Sequence, residues 1–139
     1  MTIAVDFDGT IVEHRYPSIG KAKPFAVETL TQLMRDGHRL ILWTSREGAL
    51  LKEAVDWCEK QGIRFYAVNS NYPDQALVFQ SDTKSTKVTA DLYIDDRNVG
   101  GLPSWDHIYR IISGKATARS KHRSRRKGLF GLFRKKHHG

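Results

Sequence analysis

Only one cysteine, Cys58, occurs in the 139 residues, so no internal disulfide can form. Cys58 sits in the helical pattern Ala-Val-Asp-Trp-Cys-Glu-Lys, with no His or second Cys near it, and reads as a buried structural thiol rather than a nucleophile. No stretch approaches the ~20 apolar residues of a membrane span. The first residues lack the basic n-region and apolar core of a signal peptide. A cytoplasmic, reducing setting is therefore expected. Acidic residues are missing from positions 114–139, which carry ten Lys or Arg. The formal charge of +8 belongs to that tail, because residues 1–113 hold 13 basic and 15 acidic side chains, a net of −2. The division expected is a domain over 1–113 and a basic tail over 114–139 that is disordered when free.

What is present alternates. Ile3-Ala4-Val5 is a short apolar run of the kind buried on both faces of a parallel sheet. Residues 11–23 read as a loop or small hairpin. Pro24 opens a helical stripe through Phe25, Val27, Leu30, Leu33 and Met34, closed by Gly37. Leu40 to Trp43 reads as a second strand. Leu50, Leu51, Ala54, Val55 and Cys58 mark a second helix over 47–61, closed by Gly62. Ile63–Val68 and Ala90–Ile94 read as third and fourth strands, separated by a long polar loop over 69–86. A last helix begins near Pro103 and runs to about Ile112. This alternation predicts an α/β fold with right-handed crossovers and a central parallel sheet.

Ligands in open α/β sheets bind beyond the carboxyl ends of the strands. Three predicted strand ends carry polar groups there: Asp6 and Asp8, Thr44 and Ser45, Asp95 and Asp96. Four carboxylates on one edge repel one another and need a cation. All are hard oxygen donors, which favours Mg²⁺. His14 and His38 are read as loop or surface residues rather than ligands.

Val5-Asp-Phe-Asp-Gly-Thr10, Leu42-Trp-Thr-Ser-Arg46, a lysine at 84 or 87, and Leu92-Tyr-Ile-Asp-Asp96 occur in that order. In this the chain resembles the haloacid dehalogenase superfamily of phosphohydrolases, over positions 3 to 96. The resemblance implies a Rossmannoid three-layer sandwich and a phosphatase working through an aspartyl-phosphate. It implies that Asp6 is the nucleophile and Asp8 the general acid and base. Phe7 between them would point into the core. Gly9 would permit a tight turn, and Thr10, Ser45 and Arg46 would line the substrate site. Thr44 would bind the transferring phosphoryl group, with Ser45 its neighbour substitute. The motif lysine, Lys87 in preference to Lys84, would neutralise charge. Asp6, the main-chain carbonyl of Asp8, and Asp95 would hold Mg²⁺; Asp96 would hold a metal-bound water or orient the lysine. Arg97 and Asn98 would shape the rim. Asp8 favours phosphate chemistry over dehalogenation, because dehalogenases of the family lack that second carboxylate.

Neither gap between motifs has room for a cap domain. An open site of this kind is expected to take a large phosphorylated substrate, protein or nucleic-acid end, or to be closed over a small metabolite by a neighbouring subunit in a homo-oligomer. Residues 69–83 form the candidate rim, with Tyr72 and Phe79 as aromatic contacts or loop anchors. In the tail, Leu129, Phe130, Leu132 and Phe133 lie among Lys and Arg, a pattern suited to an anionic membrane surface or nucleic acid. Three other readings stand beside the phosphatase. One is a non-catalytic binding module tethered by the tail, one a phosphotransferase such as a phosphomutase, and one a metal-dependent nuclease.

Overall fold

The structure, a computed structural model, describes residues 1–73 and 88–114. The elements run β1 (Thr2–Val5), α1 (Ala26–Arg35), β2 (Arg39–Leu42), α2 (Gly48–Lys60), β3 (Ala67–Val68), β4 (Leu92–Ile94) and α3 (Trp105–Ile112). The strands form one all-parallel sheet in the order β3-β2-β1-β4. With helices flanking the sheet, this is the expected mixed α/β architecture, a Rossmann-like three-layer sandwich.

The apolar runs are central because their side chains are buried on both faces. Ile3, Ala4, Val5, Leu40, Ile41 and Leu42 are all at most 1% exposed. Register then decides which residues meet. Ala67, Ile41, Ala4 and Tyr93 are successive partners across the sheet. On that face Ala4, Ile41, Ala67 and Val88 form a core cluster against which Trp43, Tyr66 and Ala90 pack.

The strands are shorter than their apolar runs imply. The third begins at Ala67 rather than Ile63, because Ile63 still belongs to the turn closing α2, where its N–H donates to the Cys58 carbonyl at 2.9 Å. The fourth begins at Leu92 rather than Ala90, whose N–H donates to the Tyr93 hydroxyl instead of to a strand. Helix α1 begins at Ala26, after Phe25 in a left-handed conformation. Gly37 (φ 94°) and Gly62 (φ 89°) lie just beyond the two helices they were expected to end. Cys58 is buried, and burial pushes its thiol up to about 12, as an inert structural thiol requires.

Residues 11–23 fold as a small antiparallel hairpin. Glu13 N–H donates to the Lys21 carbonyl (2.7 Å) and Lys23 N–H to the Ile11 carbonyl (2.8 Å). No additional domain is inserted among the described residues. None of their helices is long and apolar enough to cross a membrane.

The chain divides into two compact units, Met1–Leu102 and Pro103–Gly139. In the second, α3 is amphipathic. Trp105, Ile108 and Tyr109 are buried at helical spacing, and Asp106 pairs with Arg110 one turn on at 3.7 Å. Lys84, Lys87, Phe79 and residues 115–139, on which the expectations for the motif lysine and the tail rest, lie outside the described residues.

Candidate functional site

Parallel register places the acidic residues together. Val5 pairs with Ile94 on one side and with Leu42 on the other, so the residues that follow all three strands leave the sheet at one edge. The ladder runs on briefly: Asp6 N–H donates to the Ile94 carbonyl (3.0 Å) and Trp43 N–H to the Val5 carbonyl (2.9 Å). Carboxylate oxygens of Asp6, Asp95 and Asp96 then lie within 4.8 Å of one another.

The turn after β1 builds this cluster. The Phe7 carbonyl accepts from the N–H groups of Thr10, Ile11 and Val12 (3.1, 2.9 and 3.3 Å). So tight a turn needs Gly9, at φ 82°. Space demands it too, because a Cβ on Gly9 would collide with the Asp96 carboxylate. Phe7 is fully buried and meets Trp57 edge-on at 5.9 Å, the core-facing role expected of it. The strand ends at Val5, however, so the turn rather than strand alternation brings Asp6 and Asp8 to the same cavity.

Thr10 corrects an expectation. It is completely buried rather than presented to substrate. Its hydroxyl donates to Asp6 Oδ2 (3.0 Å) and accepts from Asp96 N–H (3.0 Å), tying the first acidic motif to the last. Arg46 is corrected as well. Its side chain does not line the cavity but is buried behind it, paired with Asp8 through Nε–Oδ2 (2.7 Å) and Nη2–Oδ1 (2.8 Å). The Asp8 bond raises the Arg46 guanidinium above its usual range and holds it charged. Asp8 therefore stands outside the carboxylate trio, and any share it takes in a cation falls to its main-chain carbonyl.

The chain is similar to a solved structure, the conserved protein coded by a locus from Bacteroides thetaiotaomicron. Identity is 59%, the match covers 83% of this chain and 91% of that one, and the TM-score is 0.73. The chain belongs to that protein's family. No protein-family model and no curated protein matches it.

The carboxylates open into a cavity of ≈ 470 Å³ lined by Asp6, Asp8, Thr44, Ser45, Asp95 and Asp96, and also by His14, Tyr16, Trp43 and Arg97. Thr44 is fixed at both ends: its N–H donates to Asn69 Oδ1 (2.8 Å) and its hydroxyl oxygen accepts from Arg46 N–H (3.1 Å). Ser45, beside it, is exposed. Arg97 N–H caps Asp95 Oδ1 (3.1 Å), and Asn98 donates to the Asp95 carbonyl (3.0 Å), so both shape the loop under the rim.

Sequence reasoning did not single out Asn69, and it set His14 aside as a loop residue. Asn69 adopts φ 51°, a conformation Asn tolerates better than most residues, and this turns its amide back on Thr44. The signal was an Asn directly after an apolar strand. His14 and Tyr16 reach the cavity only because the hairpin folds over it. Tyr72 belongs elsewhere. It lines a second cavity of ≈ 380 Å³ with Thr2, Arg39 and Tyr66, residues at the opposite, amino-terminal side of the strands.

Burial pushes the Asp6 carboxyl from 3.8 up to about 7, and the charges of Asp95 and Asp96 push the same way against the Thr10 hydrogen bond. Between those two values the folded protein holds a proton that the unfolded chain has lost. This contribution to stability is complete below about 4 and lost as pH rises through about 7. In EDTA the melting temperature of the wild type is therefore expected to fall across that window relative to Asp6→Asn. Parallel profiles for the two proteins would contradict it.

Proposed function

We propose that the chain is a phosphomonoesterase of the haloacid dehalogenase type, dependent on Mg²⁺ and acting through an aspartyl-phosphate on Asp6. The observation that carries this reading is the convergence of Asp6, Asp95 and Asp96 at one strand edge, beside Asp8 and Thr44 in the same cavity. The donor set suits a hard cation. It offers three carboxylates, and the Gly9 backbone lies close against one of them because it has no Cβ. Asp6, Asp95 and Asp96 would hold the ion. When bound, Mg²⁺ supplies positive charge that offsets the mutual repulsion of the carboxylates and the charge of the phosphoryl group.

Asp6 attacks phosphorus through a carboxylate oxygen, and the bond from phosphorus to the leaving oxygen breaks. Asp8 gives its proton to that oxygen, releasing an alcohol. Water then attacks phosphorus, Asp8 takes a proton from it, and the bond between phosphorus and Asp6 breaks. Inorganic phosphate leaves, and both side chains return to their starting states. Thr44, whose backbone is anchored by Asn69, would bind a phosphoryl oxygen. Thr10 keeps Asp6 oriented by donating to Oδ2, the oxygen turned toward the Asp96 loop.

A direct assay tests this. The wild-type chain is expected to release phosphate from 4-nitrophenyl phosphate and from a panel of sugar, nucleotide and peptide phosphates with Mg²⁺, and to lose that activity in EDTA. A folded chain that turns over none of these in Mg²⁺ would overturn the reading.

A further inference from the structure

Among the described residues Arg46 is the bulkiest fully buried side chain, and it is charged. Its guanidinium lies over two rings, Phe7 at 5.2 Å and Tyr16 at 5.1 Å. Nε donates to Asp8 Oδ2 and Nη2 to Asp8 Oδ1. Nη2 also donates to the Ser18 carbonyl (3.0 Å) and Nη1 to the Leu50 carbonyl (3.4 Å). Among the described residues Asp8 is its one partner in an ion pair. A buried guanidinium without a counter-ion is costly, so the two groups are held together. Tyr16 and Ser18 come from the hairpin over the site, whereas Leu50 comes from α2.

We infer that Arg46 is a positioning residue for Asp8, a two-pronged clamp that aims its carboxyl and ties it to the hairpin at 11–23. The inference rests on the reading of Asp8 as the group that moves the proton. The two prongs differ. Nε has Oδ2 as its acceptor, whereas Nη2 has the Ser18 carbonyl as well and can release Oδ1 without being left unsatisfied. The Nε–Oδ2 bond is therefore the pivot, and Oδ1 is the oxygen that can turn toward the leaving group. The clamp thus holds Asp8 in the form that must next accept a proton from water. Lysine could not do this, since it presents a point charge rather than a planar fork.

The test compares kcat/KM on two aryl phosphates in Mg²⁺, one with a poor leaving group (phenyl) and one with a good one (2,4-dinitrophenyl). Loss of a general acid removes about 10²–10⁴-fold where the leaving oxygen needs a proton, and far less where it does not. Arg46→Met is expected to fall at least about tenfold further on the phenyl ester than on the dinitrophenyl ester, as Asp8→Asn does. Arg46→Lys, which keeps the charge and the fold, is expected to lie between Arg46→Met and wild type. Equal losses on both esters, or a change confined to KM, would overturn the role of Arg46. Denaturant midpoints of Asp8→Asn, Arg46→Met and the double variant read the clamp without activity. Non-additive midpoints support it, and additive ones overturn it. A wild type inactive on both esters overturns the phosphatase reading itself, and the proton-transfer role with it. An active wild type with parallel losses overturns the clamp alone.

Discussion

Asp6→Asn is expected to abolish phosphate release while leaving a folded and, without metal, more stable protein. Removing a covalent nucleophile typically costs on the order of 10⁴–10⁶-fold in turnover. The stability effect has the opposite sign. Asp6 is mostly buried, lies against Asp95 and Asp96, and has its carboxyl pushed to about 7. An amide of the same shape carries no charge, yet its oxygen can still accept the Thr10 hydroxyl that now donates to Oδ2. In EDTA near pH 8 the variant should therefore unfold at a higher denaturant concentration than wild type, and Mg²⁺ should narrow the gap. Two measurements decide it: phosphate release, and denaturant midpoints with and without Mg²⁺. An inactive variant that is also less stable than wild type in EDTA would mean that Asp6 is a structural residue. Retained activity would mean that the nucleophile lies elsewhere.

Gly9→Ala is expected to damage the site more than any other single methyl group among the described residues. Two penalties coincide. The backbone stands at φ 82°, where a residue with a Cβ is strained by about 1–3 kcal/mol. The same Cβ would run into the Asp96 carboxylate. The strain should appear as an unfolding midpoint lowered by that amount. Displacing Asp96 should raise the Mg²⁺ concentration needed for half-maximal activity by about 10–100-fold, the range seen when groups around a metal site are disturbed. Gly37→Ala is the control, since it shares a positive φ but a Cβ there meets nothing within 4 Å. It should show the strain and leave the Mg²⁺ dependence unchanged. If the two variants shift that dependence equally, Gly9 is a turn residue and nothing more.

Much of the fold was legible because short apolar runs bounded by turn residues have few other uses. Ile3-Ala4-Val5 and Leu40-Ile41-Leu42 became adjacent buried strands. The helices followed from their apolar spacing and from Gly37 and Gly62. Strand lengths were not legible. Hydrogen bonding to a neighbour ends a strand, and the neighbour's reach cannot be read from one segment. Asp6, Asp8, Thr44, Asp95 and Asp96 were legible as neighbours at one edge because a parallel sheet collects the ends of its strands. Asn69 was not, because its contribution depends on a left-handed backbone that turns its amide toward Thr44.

The order of the acidic pairs after apolar strands determines that several carboxylates share one edge, where their like charges oppose one another. Charge and spacing are properties of the linear chain, so the sequence suffices for that much. What Thr10 and Arg46 do was decided only in three dimensions. Both looked like groups waiting for a ligand. Thr10 instead joins Asp6 to the Asp96 backbone, 86 residues away along the chain. Arg46, in the loop that follows β2, lies where water cannot reach it, and a guanidinium there must find its counter-charge inside the protein. Asp8 supplies it, and packing turned an apparent substrate ligand into the partner that aims a carboxylate.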